Sequence, residues 1–282
     1  MKYEDIQDPL FRQAVEAVDT GNILLLGDLL TRHPGLINQQ THSPGGGYFE
    51  NPYLIYFVAD NPIRNPQLPD NVLEVITLLI ENVNQHATNK KQQLDYTLGL
   101  ITTGRIPRES GKQIAMMDLL IDAGATAGEG YGALAHGNID AARHLIKRGG
   151  KYTLAAAVCF NEKDKVKELL SDANPGEVLI ALTAAAFYGN AEMVSLLLEA
   201  KASPNGYPAN GFHTHATPLH QAVCSGSLES VRLLVKAGAN LDATDTAYNG
   251  TPLGWAIHMQ TEAVTEDERN AFKKIEKYLQ QQ

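Results

Sequence analysis

The chain has 282 residues, 44% of them hydrophobic and 20% charged, a balance that fits one large folded domain or two ordinary ones and excludes a disordered chain. Its 32 Asp and Glu against 23 Lys and Arg leave a net charge of −9, which argues against nucleic acid and anionic membrane surfaces as partners, since both are bound through surplus Lys and Arg. Two cysteines, no apolar run longer than Tyr53–Ala59 or Leu154–Phe160, and an N-terminus without a signal-peptide core point to a cytoplasmic protein outside the disulfide-rich and membrane classes.

From the N-terminus, the first helical signal ends at the aliphatic pair Leu29-Leu30. Two stretches rich in Pro, Gly and Asn follow, residues 41–52 and 60–70, whose composition forbids helix and predicts irregular surface loops. Further aliphatic pairs then recur at Leu79-Ile80, Leu120-Ile121, Leu145-Ile146, Leu169-Leu170, Leu197-Leu198 and Leu234-Val235, with Tyr278-Leu279 as a weaker last member. In the middle of the chain a turn residue stands 12 positions before the stop of a helix: Gly137 and Gly149, Asn161 and Ala173, Gly189 and Lys201, Gly226 and Gly238. Residues 217–222 read T-P-L-H-Q-A, and 34 positions later residues 251–257 read T-P-L-G-W-A-I. Thr265 with Glu268 forms a capping-box pattern that opens a charged terminal helix.

Each unit is predicted to be two short helices. Thr217 suits the N-cap of the first, and Pro218 at N1 loses nothing by lacking an N–H. Gly226 suits a left-handed turn between helices, and Gly238 a helix stop. Neither helix buries its apolar stripe alone, so stacked neighbours make one continuous core. About eight such units are counted.

Residues 217–242 resemble the ankyrin repeat almost position by position: T-P-L-H-x-A, a Gly between helices, then a Leu pair, G-A and Asn. Residues 245–258 resemble its first half, and residues 129–216 share its helix periodicity and turn spacing without the T-P-L-H signature. His213, His215 and the two T-P-L starts also resemble uncharacterised bacterial ankyrin-repeat proteins, a likeness that implies no function. The implied fold is an all-α ankyrin solenoid with irregular loops and short β-hairpin fingers. It is expected to span 1–282 as one solenoid: an N-terminal cap unit over 1–40, degenerate units with insertions over 41–113, regular units over 114–242, and a last unit with a capping helix over 243–282.

The family's units run about 33 residues, so departures locate special parts. Leu79 to Leu120 spans 41 positions, with the surplus in the polar stretch 103–112, whereas Leu120 to Leu145 and Leu145 to Leu169 span only 25 and 24. The short units leave no room for fingers, while residues 201–216 form a longer one. The resemblance also implies that residues just before each inter-helix turn face a concave groove: His136 beside Ala135, Phe160 beside Cys159, Phe187 with Tyr188, Ser225 beside Cys224, and His258 beside Met259. In the long finger, Tyr207, Phe212, His213 and His215 sit among Pro and Gly, which suits exposed recognition residues. Tyr248 completes the expected partner-binding set.

His213, His215, His220 and Cys224 are ligand types for zinc, but His220 is the T-P-L-H histidine, expected to hold a turn by hydrogen bonds. No acidic or cysteine pair completes the set, so no metal and no cofactor are expected. Enzyme motifs fail one by one: Gly45–Gly47 lacks the following Lys-Ser/Thr of a phosphate loop, Gly128 and Gly132 lack a preceding strand, and neither H-E-x-x-H nor G-x-S-x-G occurs. The expected function is therefore a non-catalytic, monomeric scaffold that binds another protein through its concave face and the 201–216 finger. One competing reading is a metal- or small-molecule-dependent enzyme or binder at the His-rich finger. The other is a translocated bacterial effector acting on host proteins.

Overall fold

The computed structural model describes residues 1–42, 49–59, 66–209 and 211–282. Residues 43–48 of the first expected N-terminal loop, Gly45–Gly47 among them, and residues 60–65 of the second lie outside the described residues. Two compact units divide the chain: Met1–Gly128 with Asp140–Gly150, and Glu129–Ile139 with Lys151–Gln282. No helix among the described residues is long and apolar enough to cross a membrane.

The first unit opens with α1 (Pro9–Thr20) and α2 (Ile23–Arg32). Asp8 caps α1 by accepting hydrogen bonds from the backbone of Leu10 and Phe11 at 2.8 and 3.0 Å, with Pro9 at the first helical position. The stripe Phe11, Ala14, Val15 and Val18 is buried. It packs against α2 and against a 3-10 helix, Leu54–Ala59, whose six residues are all buried. Phe57 in that helix meets Phe11 and Phe49 edge-on, with centroids 6.0 and 5.2 Å apart. The apolar run noted in the sequence is thus an inner packing element.

Next come α3 (Val72–His86), α4 (Lys90–Thr103), α5 (Arg105–Glu109) and α6 (Gln113–Asp122). The surplus at 103–112 is folded as α5, which buries Ile106 and Pro107. Helix α4 carries two fully buried polar residues inside the stack. Gln93 donates to the Ile37 carbonyl at 2.9 Å and Thr97 to the Gln93 carbonyl at 2.7 Å, which offsets the cost of removing them from water.

Helix α7 (Tyr131–Ala135) belongs to the second unit, and α8 (Ile139–Lys147) to the first from Asp140 onward. The second unit continues with α9 (Leu154–Cys159), α10 (Lys163–Leu170), α11 (Pro175–Phe187), α12 (Ala191–Glu199), α13 (Pro218–Cys224), α14 (Leu228–Lys236), α15 (Pro252–Glu262) and α16 (Glu266–Leu279). Helices α7, α9, α11, α13 and α15 pack in that order as one row, and α12, α14 and α16 as a second. The middle of the first row is buried nearly all round, as in Ala155–Val158 on α9, Ala181–Ala186 on α11 and Pro218–Val223 on α13. Small side chains allow helices of that kind to pack on several neighbours. The second row buries one stripe each, such as Met193, Val194 and Leu197 on α12.

Turn spacing read from the sequence coincides with backbone geometry. Gly137, Asn161, Gly189 and Gly226 all have φ between 59° and 70°, and the stops Gly149, Lys201 and Gly238 also have positive φ. Ala173 is the exception. The capping box at α16 is formed: Thr265 Oγ1 accepts from the Glu268 N–H at 3.2 Å, and the Glu268 carboxylate accepts from the Thr265 N–H at 3.0 Å. One expectation fails. Among the described residues there is no strand, only a single bridge between Gln40 and Tyr53, so residues 201–216 are not a β-hairpin finger. Side chains hold that segment instead of a strand ladder.

Candidate partner-binding surface

Residues 201–216 join α12 to α13 and lie against the next connection, residues 238–246. Asn205 bridges the two, donating to the Gly238 carbonyl at 2.9 Å and accepting from the Asn240 N–H at 2.7 Å. The Tyr207 hydroxyl donates to the Thr244 carbonyl at 2.6 Å, and the Thr246 N–H donates to the His215 carbonyl at 2.8 Å. Gly211 has φ of 82°, and a Cβ there would sit 2.4 Å from Tyr131 Cδ2. Only glycine fits that close approach.

The aromatic residues of this segment divide. Tyr207 is 39% exposed, whereas Phe212 is fully buried. Phe212 packs edge-on against Phe187 at 5.6 Å and against His213 at 4.7 Å. The expectation that Phe212 contacts a partner is corrected: it is core, because the chain turns back at Gly211 onto α7 and α11. Phe160 is corrected in the same way. It is 8% exposed, with its ring edge-on to Tyr152 at 5.9 Å, since the short units bring their connections onto the helix ends.

His213 lies over the Phe187 ring at 4.5 Å. Burial, helped by His215 and His136 nearby, lowers its pKa to about 4, so it is neutral at pH 7. Its Nε2 is buried without a hydrogen-bond partner. His215 stacks on Trp255 at 6.1 Å. His220 spends both ring nitrogens on the fold: Nδ1 accepts from the Thr217 hydroxyl at 2.8 Å, and Nε2 donates to the Gly250 carbonyl at 3.0 Å. That geometry leaves it no lone pair for a metal. Among the described residues no group of three or more His, Cys, Asp or Glu side chains could hold a metal ion.

Of the other expected residues, His136 is exposed after α7, its Nδ1 2.9 Å from the Gly132 carbonyl oxygen. Phe187 and Tyr188 are half-buried and edge-on to each other at 5.2 Å. The Tyr188 hydroxyl donates to the Leu134 carbonyl at 2.7 Å, tying the end of α11 to α7. Tyr248 is 83% exposed and His258 is exposed on α15. The structure therefore brings Phe187, Phe212 and His213 together in one cluster and leaves Tyr207, Tyr248, His136 and His258 open to solvent.

Sequence reasoning missed Asp245. Its carboxylate is fully buried and accepts from the N–H groups of Ala247, Tyr248 and Gly250 at 2.9, 2.6 and 2.8 Å, and from Trp255 Nε1 at 2.9 Å. Burial by itself would raise its pKa; the donors outweigh that and hold it at about 2. The available signal was an Asp shortly before Asn249-Gly250, the spacing of a side chain that captures its own turn.

Residues 154–245 match the family model described as ankyrin repeats (3 copies). These residues are ankyrin repeats. They cover α9 to α14 and the segment 201–216, and His220 holds the T-P-L-H turn as the resemblance implied. No curated protein matches the chain. Among solved structures, the human ASB11 ankyrin repeat domain is similar at 18% identity over 95% of this chain and 98% of that one, with a TM-score of 0.33. Ankyrin repeats are in general protein-binding modules.

Proposed function

We propose that the ankyrin repeats form a non-catalytic scaffold that binds another protein through the concave face and the 201–216 segment. Tyr207 and Tyr248 are the outermost anchors, flanked by His136, Tyr188, His215 and His258. The observation that carries this reading is the pairing of exposed tyrosines with a fixed backbone. Tyr207 stands on a segment bridged by Asn205, and Tyr248 follows a turn held by Asp245. A tyrosine held that way contributes contact area with little ordering cost, the property of residues that dominate interfaces.

The test compares wild type with Tyr207→Ala/Tyr248→Ala in affinity capture from native lysate, read by quantitative mass spectrometry. A protein enriched at least tenfold by wild type over the double variant is the expected result, about 1.4 kcal/mol of binding. Equal enrichment by both proteins would remove these tyrosines from the interface. Phe187 and Tyr188 are poor probes, because Phe187 packs on the buried Phe212 and Tyr188 ties α11 to α7.

A further inference from the structure

A second surface lies in the first unit, which holds no residue of the proposal above. Helices α2, α3 and α6 pack side by side, and along them runs an open groove of about 580 Å³. Its floor is apolar, formed by Ile23, Leu73, Leu78 and Leu119, all half-buried. The Thr77 hydroxyl, also in the groove, is spent on the Leu73 carbonyl at 2.7 Å. The rim is acidic on both sides: Glu74 and Glu81 on α3, and Asp118 and Asp122 on α6.

The two acidic rows differ in what they face. Arg148 pairs with Asp118 and Asp122, and His144 Nε2 lies 2.7 Å from Asp118. Burial alone would raise the Asp118 pKa; the His144 and Arg148 hydrogen bonds outweigh it and hold the group ionised. Glu74 and Glu81 are exposed, and neither forms an ion pair with a described residue. They stand seven positions apart on one helix, about 10 Å at 1.5 Å per residue. Neighbouring helix axes lie about 8–10 Å apart, so the carboxylates form two rows flanking a leucine-lined trough.

We propose that this groove docks an amphipathic helix of a partner protein, with a leucine-type stripe and Lys or Arg on both flanks, two of them seven residues apart facing Glu74 and Glu81. The apolar stripe replaces water over Leu73, Leu78 and Leu119. Cations on one flank meet Glu74 and Glu81, which the fold leaves uncompensated, and those on the other meet Asp118 and Asp122, which share the single guanidinium of Arg148. A neutral or acidic helix would place its flanks against the same row at a cost.

The test uses a fluorescein-labelled 18-residue Leu/Lys peptide patterned as an amphipathic helix, titrated with the full chain and followed by anisotropy. A Leu/Lys peptide of identical composition with its stripe scrambled controls for attraction to a chain of net charge −9. The patterned peptide is expected to bind at least tenfold more tightly than the scrambled one. Glu74→Lys/Glu81→Lys and, separately, Ala115→Arg, which projects bulk from the exposed Ala115 on the groove wall, should each weaken binding at least tenfold. All changed positions are exposed, and unchanged circular-dichroism melting confirms folding. Equal binding of both peptides would overturn the proposal in favour of bulk charge. So would patterned-peptide binding that both variants leave intact. Sedimentation equilibrium adds a third outcome: a wild-type dimer that Ala115→Arg dissociates would assign the groove to a second copy of this chain and overturn the basic-helix occupant.

Discussion

Trp255 Nε1 donates a 2.9 Å hydrogen bond to Asp245 Oδ2, across ten residues and the left-handed turn at Asn249. The same carboxylate accepts three backbone N–H groups. One buried anion thereby closes the turn, orients the indole that stacks on His215, and fixes the backbone at Tyr248.

Asp245→Ala should be among the most damaging single changes in the second unit. It strands four donors, each costing about 1–3 kcal/mol when left buried and unpaired, although water reaching the opened turn recovers part of that. A fall in melting temperature of at least 8 °C is expected, at about 2–4 °C per kcal/mol for a chain of this size. A fall below 3 °C would mean that the turn stands without its anion. The pH dependence has a fixed sign. The folded pKa of about 2 is below the ordinary 3.8, so the contribution is complete above pH 4 and is lost as pH falls toward 2.

His213 titrates with the opposite chemistry and the same direction of loss. Its folded pKa of about 4 lies below the ordinary 6.5, so the unfolded chain binds the extra proton between those values. Stability should be intact above pH 6.5 and decline on acidification toward pH 4, by on the order of 2 kcal/mol once its partial exposure is allowed for. His213→Asn, which keeps a residue tolerant of the observed φ of 44°, should flatten urea-unfolding free energies measured between pH 4.5 and 7.5. It will not abolish the slope, because burial also lowers the pKa of His220. An unchanged slope would place the acid sensitivity elsewhere.

Phe212 and Tyr248, grouped together in the sequence, differ in burial. Phe212→Ala empties a fully buried site and should cost about 3–5 kcal/mol. Tyr248→Ala, at a position 83% exposed, should stay within about 0.5 kcal/mol. Chemical denaturation of both variants measures the contrast, and comparable losses would contradict the burial assigned here.

Both thiols should react slowly. Burial raises the pKa of Cys159 and Cys224, and the thiolate is the reactive form. Iodoacetamide at pH 8 is expected to label the native protein at least tenfold more slowly than the urea-unfolded chain. Rapid labelling of either site in the native state would show that its thiol reaches solvent.

The capping box at Thr265, the Pro218 helix start and the turns at Gly137, Asn161, Gly189 and Gly226 were legible because each depends on residues within one turn of the position. The T-P-L-H histidine was legible for a related reason, since its Thr217 partner is three residues away. The site was less so. Tyr207 and Tyr248 lie at the surface, while Phe160 and Phe212 turn inward. The 201–216 segment formed no hairpin.

By itself, then, the sequence determined the paired-helix repeat, its turn positions and its caps, since backbone dihedrals and short-range hydrogen bonds are set by neighbouring residues. Only the tertiary structure decided which aromatics are core. Phe212 is buried by Phe187, 25 positions earlier, and Gly211 is required by Tyr131, 80 positions earlier. The acidic groove likewise exists because α2, α3 and α6 lie side by side. Burial and charge at a surface are sums over contacts between distant segments, and no local pattern along the chain contains them.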